Sequence, residues 1–282
     1  MSATWKPPAK GGLRAAIVAA AAVIGLVAAT TGAGAAERLA GAGWRATLSV
    51  PERAAPVPAV VLMPGCTGLG PPAVRAGLSA HGAALLRRGH AVAVLDVLGP
   101  RGRASICADA AALARLERAA VRHAGELAAR LGADPRIDGR RLAFLGQSFG
   151  GSVALALASP AARGGGAAPF AAVVAYYPWC RARYGPADGR SDFDVPVLIL
   201  AGAADSWTPV ARCRRLSPRA GSRATRVVAY PGAVHSFDLV TLDRGMVAGV
   251  DGAHPVGGDG AAARASRQRY LAFLTVALRR PQ

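Results

Sequence analysis

Lysine is nearly absent from this sequence of 282 residues, and acidic residues are few. Lys6 and Lys10 are the only lysines, so every other basic residue is an arginine, and the 34 basic residues against 16 acidic ones give a formal charge of +18. Aromatic residues make up only 5% of the chain, and no predicted helix carries a basic stripe interleaved with them, as a nucleic-acid-binding surface would. We therefore predict no nucleic-acid partner and attribute the arginines to compositional bias. A basic surface would still favour acidic polymers or anionic membranes over neutral ones.

Long apolar runs are rare too, and the longest lies close to the N-terminus. It extends from Ala15 to Ala29, follows three basic residues and precedes Ala33-Gly34-Ala35, which has the pattern of a cleavage site. This three-part arrangement is typical of a secretory signal peptide, and the run is shorter than the about 20 residues of a membrane-spanning helix. We predict that residues 1–36 are a signal peptide and that residues 37–282 form a periplasmic or secreted protein without a membrane span. An uncleaved N-terminal anchor is the alternative.

Cysteine occurs only four times, at positions 66, 107, 180 and 213. No two of these residues form a Cys-x-x-Cys pattern, so we predict neither a metal site nor a redox motif, and nothing in the sequence indicates a cofactor. An even number of cysteines in an exported chain indicates disulfides. Spacing alone leaves three pairings open.

Strand-like and helix-like segments alternate from residue 44 onwards. The central strand-like segments are apolar throughout, as strands covered by helices on both faces are. This alternation predicts the α/β class, with a mainly parallel central sheet covered by helices on both faces, and the lack of an internal repeat or long linker predicts a single domain. The predicted strands are 44–50, 59–63, 91–95, 142–145, 171–177, 197–201 and 226–230, and the predicted helices are 73–88, 108–131, 152–158, 209–219 and 261–279. The first strand alternates polar and apolar residues, which predicts a half-exposed edge strand.

The pattern Gly146-Gln147-Ser148-Phe149-Gly150 marks the most informative turn. It follows the apolar strand 142–145 and precedes the small-residue helix 152–158. Strand, tight turn and helix are the context of a nucleophile elbow, in which a serine takes a strained backbone conformation and glycines relieve the crowding around it. An ordinary glycine-rich turn is the alternative, so residues elsewhere in the chain must distinguish the two.

Two further residues support the elbow. Asp205 follows the predicted strand 197–201, and His235 follows the strand 226–230. In a parallel sheet the ligand site lies beyond the carboxyl ends of the strands, and the order Ser148, Asp205, His235 is that of α/β-hydrolase triads. We predict that His235 takes the proton of the Ser148 nucleophile and that Asp205 orients and stabilises the imidazole.

The backbone near the nucleophile supplies candidate oxyanion donors. The N–H group of Phe149 follows the serine directly, and the N–H group of Cys66 lies in the glycine-rich loop after strand 59–63. We predict that both face the oxyanion of a tetrahedral intermediate. Trp179 and Trp207 flank the predicted site and are candidates for an aromatic wall around the substrate, with core packing as the alternative.

The remaining histidines and one aspartate are weaker candidates. His81 and His123 fall inside predicted helices and His90 precedes a strand, so a structural or surface role is expected for each. His254, in a glycine-rich loop, is the alternative base. Asp238 lies too soon after the predicted base to follow a strand end of its own.

Six motifs carry a resemblance to a known family. They are Pro64-Gly65-Cys66-Thr67-Gly68-Leu69, Asp96-Val97-Leu98-Gly99-Pro100-Arg101-Gly102, Gly146-Gln147-Ser148-Phe149-Gly150-Gly151, Tyr177-Pro178-Trp179-Cys180, Gly202-Ala203-Ala204-Asp205-Ser206-Trp207-Thr208-Pro209 and Tyr230-Pro231-Gly232-Ala233-Val234-His235-Ser236-Phe237. Over roughly residues 44–279 the chain resembles the dienelactone hydrolase family of α/β hydrolases, in particular its exported bacterial branch. The resemblance implies the α/β-hydrolase fold, the triad roles given above and an ester or lactone substrate.

The chain departs from the pattern of this family at three positions. The dienelactone enzymes use Cys where this chain has Ser148, carry Glu where it has Gly65, and hold the substrate carboxylate with arginines, one of which would correspond to Leu239. Arg101 is the remaining candidate for such a contact. The fold and the hydrolase class therefore carry over better than the dienelactone substrate.

The layout that the resemblance implies also suggests a cysteine pairing. Cys66 and Cys107 follow strands that should be neighbours, and Cys180 and Cys213 lie near the next two strand ends. We predict the disulfides Cys66–Cys107 and Cys180–Cys213, which would brace the rim of the active site.

These observations together predict an exported serine hydrolase that cleaves a carboxylic ester or lactone through an acyl-enzyme. Its partner is a small-molecule substrate, and we expect a monomer without a cofactor. An acyltransferase, amidase or peptidase that uses the same triad is the first alternative. A catalytically idle binding protein of the cell envelope is the second.

Overall fold

A computed structural model describes residues 36–54, 56–181, 192–216 and 223–279. The predicted signal peptide, apart from Ala36, lies outside the described residues, as does the end of the predicted helix 209–219. The strands are β1 (Glu37–Gly41), β2 (Trp44–Ser49), β3 (Val57–Met63), β4 (Ala91–Asp96), β5 (Ile137–Gln147), β6 (Ala172–Tyr176), β7 (Val197–Gly202), β8 (Thr225–Tyr230), β9 (Gly245–Gly249) and β10 (Gly252–Val256). The helices are α1 (Pro72–Arg87), α2 (Ala110–Gly132), α3 (Phe149–Ala158), α4 (Pro160–Arg163), α5 (Val210–Arg214) and α6 (Gly260–Ala277), with a short 3₁₀ helix at Gly99–Arg101.

Within the described residues, eight strands form one sheet in the order β1-β2-β4-β3-β5-β6-β7-β8. Neighbouring strands among β4, β3, β5, β6, β7 and β8 pair in parallel. β1 and β2 pair antiparallel at one side of the sheet. The predicted α/β class with a mainly parallel sheet is thus confirmed. Because the strands are parallel, the residues that follow β3, β5, β6, β7 and β8 meet at one edge of the sheet.

The predicted edge position of strand 44–50 was wrong. β2 pairs with β4 on one side and with β1 on the other, so β1 is the outermost strand. The turn between β1 and β2 contains Gly43, whose φ of +82° is a conformation that favours glycine. β1 alternates half-buried and exposed residues, as an edge strand does. β1 was not predicted from the sequence, because this strand begins directly after the predicted signal peptide.

Side chains of the parallel strands alternate between two apolar cores, one on each face of the sheet. Val61 and Phe144 pack with α2 and α3 on one face, and Val60 and Leu145 pack with α1 and α6 on the other. Burial on both faces explains why these strands are apolar throughout. None of the helices in the described ranges is long and apolar enough to cross a membrane.

The β9–β10 hairpin is the main element that the sequence did not predict. Its strands pair antiparallel, and much of their surface is exposed. The segment is rich in glycine, so it lacks the apolar alternation that marks a strand. The hairpin is tied to the carboxyl edge of the sheet by a bridge between Val256 and His235.

Candidate active site

Ser148 occupies a sharp turn between β5 and α3. Its backbone has φ +51° and ψ −111°, a strained conformation for a residue with a side chain. A Cβ at Gly146 would lie 1.9 Å from the carbonyl oxygen of Gly150, and one at Gly150 would lie 2.5 Å from that of Met63. Only glycine fits at these two positions, so the turn has the close packing that a nucleophile elbow requires.

The three predicted triad residues lie within hydrogen-bond distance of one another. His235 Nε2 is 2.9 Å from Ser148 Oγ, and His235 Nδ1 is 2.8 Å from Asp205 Oδ2. Asp205 and His235 are 4% and 2% exposed, so water competes little for either contact. With Nδ1–H donating to the carboxylate, Nε2 is left to accept a proton from the serine hydroxyl.

Asp205 is fixed by donors from the residues that follow it. Its Oδ1 accepts hydrogen bonds from the N–H groups of Trp207 and Thr208, each at 2.9 Å, and its Oδ2 accepts one from the Thr208 hydroxyl at 2.8 Å. Burial alone would raise the pKa of Asp205, but the hydrogen bond and charge of His235 and the Thr208 donors together lower it from its usual value. The carboxylate is therefore ionised at neutral pH. Thr208 was not predicted from the sequence, although an aspartate that accepts hydrogen bonds from the backbone two and three residues later is a common turn pattern.

Both predicted oxyanion donors lie beside the nucleophile. Phe149 is the first residue of α3, so its N–H group has no acceptor within the helix and lies at the positive end of the helix dipole. Cys66 lies in the loop after β3, and its carbonyl oxygen accepts a hydrogen bond from the N–H of Ile106 at 2.9 Å, which restrains the loop. Both residues line a cleft that reaches Ser148.

Two disulfides connect the loops around the site. Cys66 is bonded to Cys107 and Cys180 to Cys213, with S–S distances of 2.02 and 2.13 Å, and these are the pairs expected from the sequence. The first disulfide lies at the nucleophile, because both of its cysteines line the clefts that contain Ser148. Two disulfides fit a protein of an oxidising compartment.

Two clefts meet at Ser148. The first has a volume of about 120 Å³, and its apolar lining includes Val74, Leu239, Val247 and Val256. The second is smaller, about 40 Å³, and includes the polar and charged residues Glu117, Ser152 and Arg181. The two sides of the nucleophile therefore differ in polarity.

Trp207 lines both clefts and separates two histidines. Its ring centroid is 4.7 Å from that of His235 and 5.3 Å from that of His254, and it is parallel to the His254 ring within 8°. His254 Nε2 lies 2.8 Å from Asp251 Oδ1. His254, the alternative base, is thus paired elsewhere, whereas His235 contacts Ser148.

Trp179 lines the second cleft, as expected of a wall residue. The guanidinium groups of Arg181 and Arg212 lie 5.5 and 5.4 Å from the centre of its ring. Arginines at this distance from an indole face are attracted by its electron density. The two arginines therefore place positive charge beside Trp179, close to the polar cleft.

Arg101 is not at the site, contrary to the expectation from the sequence. Its guanidinium donates hydrogen bonds to the carbonyl oxygens of Gly43 and of Val97, the latter at 2.7 Å, and lies 3.1 Å from His123 Nε2. These contacts fasten it to the β1–β2 turn and to α2, and it lines neither of the two clefts at the nucleophile. The position of the guanidinium thus gives no support to the expected contact with a substrate carboxylate.

Two polar side chains of the first cleft were also not predicted from the sequence. Gln147 and Tyr177 line it, and the ring centroid of Tyr177 lies 4.5 Å from that of His235. Gln147 lies two residues after the predicted strand 142–145, and Tyr177 is the last residue of the predicted strand 171–177, so their position at a strand end was the available signal. In the part of the chain that the structure describes, no group of three or more His, Cys, Asp or Glu residues is arranged to hold a metal ion.

The dienelactone hydrolase family model matches residues 44–278, which is most of the chain. No curated protein sequence matches significantly. The sequence-derived resemblance and the family model thus agree on nearly the same residues.

Several solved structures are similar to this chain. A dienelactone hydrolase-like promiscuous phosphotriesterase from metagenomic libraries is 21% identical, with a TM-score of 0.62, and the match covers 87% of this chain and 99% of that one. Esterase 2 of Thermogutta terrifontis, with bound propionate, is 19% identical, with a TM-score of 0.59 and coverage of 88% and 96%. An α/β hydrolase from a Medee basin deep-sea metagenome is 17% identical, with a TM-score of 0.58 and coverage of 88% and 99%. At these identities the likeness shows a shared fold, and with the family match it leads to one conclusion: the chain belongs to the dienelactone hydrolase family of the α/β-hydrolase superfamily and is a carboxylic ester hydrolase.

Proposed function

We propose that this protein is an exported serine hydrolase that cleaves a carboxylic ester or lactone with Ser148, His235 and Asp205. The observation that carries the proposal is the continuous hydrogen-bond chain from Ser148 Oγ through both nitrogens of His235 to Asp205 Oδ2. This series of hydrogen bonds starts at a strained elbow and ends at an ionised, buried carboxylate. A protein that only binds ligands has no physical need for all three groups in this arrangement.

In the first half of the reaction the serine becomes acylated. Ser148 Oγ attacks the ester carbonyl carbon while His235 Nε2 takes its proton, and Asp205 stabilises the resulting imidazolium. The N–H groups of Cys66 and Phe149 hold the negative oxygen of the tetrahedral intermediate, and the loss of one such donor typically costs about 100- to 1000-fold in rate. The imidazolium then returns its proton to the departing alkoxide, which leaves as an alcohol.

In the second half, water releases the acyl group. His235 Nε2 takes a proton from the water as its oxygen attacks the acyl carbon, and the same two N–H groups hold the new oxyanion. Collapse of this intermediate breaks the bond to Ser148 Oγ, which recovers its proton from the imidazolium. The products are a carboxylic acid and the regenerated enzyme, and for a lactone the alcohol and acid are one molecule.

The first cleft favours a small, uncharged acyl group. The first cleft is apolar and holds about 120 Å³, which suits a short aliphatic chain, and no Lys or Arg of the described ranges lines it. A carboxylate in this cleft would lose its hydration without gaining a cation, which is costly. Activity should therefore decline steeply with acyl length beyond a few carbons and be low for esters with an anionic acyl group.

The compartment follows from the disulfides and the N-terminal pattern. The two disulfides would be reduced in the cytosol, and residues 1–36 have the three-part plan of a signal peptide. We infer a periplasmic or secreted monomer. N-terminal sequencing of the exported protein would find a start near residue 36 or 37, whereas an intact N-terminus would indicate an anchor.

A fluorophosphonate probe tests the central claim, because it reacts only with an activated serine. The wild-type protein should be labelled and should hydrolyse short aryl esters, and Ser148→Ala should abolish both. Ser79→Ala, a serine of helix α1 that lines neither cleft at the nucleophile, is the matched control and should behave as the wild type. Labelling that survives Ser148→Ala, or a folded wild type that is never labelled, would contradict the proposal. Added alcohol that is converted to a new ester would identify acyl transfer by the same triad.

A further inference from the structure

The carboxylate of Asp238 lies behind the proposed triad and has no role in the steps above. It is 1% exposed and accepts hydrogen bonds from Tyr177 Oη at 2.5 Å, Gln147 Nε2 at 2.6 Å and His81 Nε2 at 2.8 Å. Burial alone would raise the pKa of Asp238, but the contacts with His81, Tyr177 and Gln147 together lower it from its usual value. The group is therefore ionised at neutral pH.

His81 is oriented from its other side by Tyr270. The Tyr270 hydroxyl lies 3.1 Å from His81 Nδ1, so it can donate its proton there while His81 donates Nε2–H to Asp238. The side chains of His81, Tyr177, Gln147 and Tyr270 thus form one buried hydrogen-bonded cluster around the carboxylate of Asp238.

Gln147 connects this carboxylate to the nucleophile. It is the last residue of β5 and directly precedes Ser148, so the hydrogen bond to Asp238 restrains the backbone just before the elbow. Asp238 also lies three residues after His235 in the same loop. The carboxylate is therefore tied to the segments that carry the nucleophile and the base.

Tyr177 connects the carboxylate to the base and to its acid partner. Its ring centroid lies 4.5 Å from that of His235, and its carbonyl oxygen is 3.1 Å from the Thr208 hydroxyl, which also contacts Asp205. The φ of Tyr177, +35°, is unfavourable for a residue with a side chain, so surrounding contacts must impose it. The hydrogen bond from the Tyr177 hydroxyl to Asp238 anchors the far end of the ring.

We propose that Asp238 is a positioning residue of the hydrolase. Through Gln147 and Tyr177 it fixes the nucleophile and the base, and its negative charge favours the imidazolium that forms during the reaction. This inference rests on the proposed function, because it assumes the serine mechanism. The alternative is a structural role in which the cluster only stabilises the core.

The groups around the base decide how its protonation responds to a lost charge. His235 is contacted by Ser148, Asp205, Thr208, Tyr177 and Trp207, and beyond the indole lie His254 and Asp251. Asp238 is contacted from α1, from β5 and from the residue after β6, as described above. The loss of its charge should destabilise the imidazolium, so the acidic limb of the pH–rate profile should move to lower pH.

Two variants test the proposal, and a third is their control. Tyr177→Phe keeps the ring against His235 and removes only the hydroxyl, whereas Asp238→Asn removes the charge. Tyr230→Phe is the matched control, because its ring lies 5.2 Å from Phe237, as that of Tyr177 lies 5.7 Å from it, and its buried hydroxyl has no hydrogen-bond partner among the described residues. The rate of fluorophosphonate labelling, kcat and KM for a short aryl ester are measured from about pH 5 to 9, below the unfolding temperature.

A positioning role predicts a loss in kcat rather than in substrate binding. Tyr177→Phe should lower kcat and the labelling rate about 3- to 10-fold with KM nearly unchanged, and Asp238→Asn should lower both further and move the acidic limb to lower pH. Tyr230→Phe should match the wild type. Wild-type kcat and labelling in Tyr177→Phe, or an acidic limb that stays in place in Asp238→Asn, would overturn the proposal.

Labelling of the wild type and of the variants distinguishes a failure of the proposed serine hydrolase function from a failure of the proposed role of Asp238. If the wild type is not labelled, the proposed function fails, and the inference fails with it. If the wild type is labelled and both variants react as fast as it does, only the inference fails. If Asp238→Asn does not fold, Tyr177→Phe and Gln147→Met decide through the split between kcat and KM.

Discussion

Gly65 directly faces the side chain of Ser148. A Cβ built at residue 65 would lie 3.1 Å from the Cβ of Ser148 and 3.7 Å from its Oγ. The serine has little freedom to move away, because Gly146 and Gly150 hold the elbow against neighbouring backbone. The glycine therefore keeps one approach to the nucleophile open.

Gly65→Ala should impair catalysis while preserving the fold. A displacement of Ser148 by a few tenths of an ångström lengthens its contact with His235, and misplacement of this kind can cost about tenfold or more in kcat. The measurement is kcat for a short aryl ester together with the urea midpoint. Gly125→Ala on α2, where a Cβ meets nothing within 4 Å, is the control and should keep wild-type kcat. Wild-type kcat in Gly65→Ala would contradict this prediction, because it would show that the elbow accommodates the added Cβ without displacing Ser148 from His235.

The sequence was sufficient where one local rule decides the structure. The runs that became β3 and β7 are apolar at every position because both of their faces are covered, so they could be recognised without knowledge of their neighbours. The elbow at Ser148 was also visible, because its glycines and the flanking strand and helix are adjacent in sequence. The triad order then followed from the strand ends.

The sequence was insufficient where distant groups decide. Arg101 looked available for a substrate, but its partners include Gly43 and His123, which only the folded chain brings to it. Asp238 was set aside because of its place after the base, and only the structure shows three donors around it. The β9–β10 hairpin has too few apolar residues to indicate pairing by itself.

The two disulfides should differ in their effect on catalysis but not in their effect on stability. They close loops of similar length, with sequence separations of 41 and 33, so removal of either should lower the free energy of unfolding by about 4 kcal/mol in the chain-entropy treatment. Cys66 also carries a proposed oxyanion donor. Besides this loss of stability, the Cys66→Ser, Cys107→Ser double variant should therefore have a kcat about tenfold lower than that of the wild type.

The Cys180→Ser, Cys213→Ser double variant is the matched control for that experiment. Both proteins are compared by urea unfolding and by kcat at a temperature at which each is folded. An equal loss of kcat in the two double variants would argue against a special role for the loop of Cys66.

Asp205 should make part of the stability of the fold sensitive to acid. Its folded-state pKa lies below the usual 3.8, so the unfolded chain binds more protons as the pH falls below about 4. The stabilisation is thus complete above that pH and is lost below it, with a slope of up to about 1.4 kcal/mol per pH unit. Asp205→Asn should flatten the dependence of the free energy of unfolding on pH in this range.

Urea unfolding between about pH 6 and pH 2.5 measures this dependence, and the control is a variant of an exposed carboxylate, Asp243→Asn. The control should follow the wild-type curve. An Asp205→Asn curve parallel to the wild type throughout would mean that the carboxylate is equally acidic in the folded and unfolded states.

Arg101 should prove to be a structural residue and not a substrate ligand. Arg101→Gln removes hydrogen bonds to the carbonyl oxygens of Gly43 and Val97 and should lower the free energy of unfolding by about 1–3 kcal/mol. The ratio of kcat/KM for an anionic ester to that for its neutral analogue should not change, because the guanidinium lines neither cleft at the nucleophile. Arg226→Gln, an exposed arginine on β8, is the control and should stay within about 0.5 kcal/mol of the wild type. A selective loss of activity on the anionic ester in Arg101→Gln would place the guanidinium at the substrate after all, since a purely structural contact has no means of distinguishing the two esters.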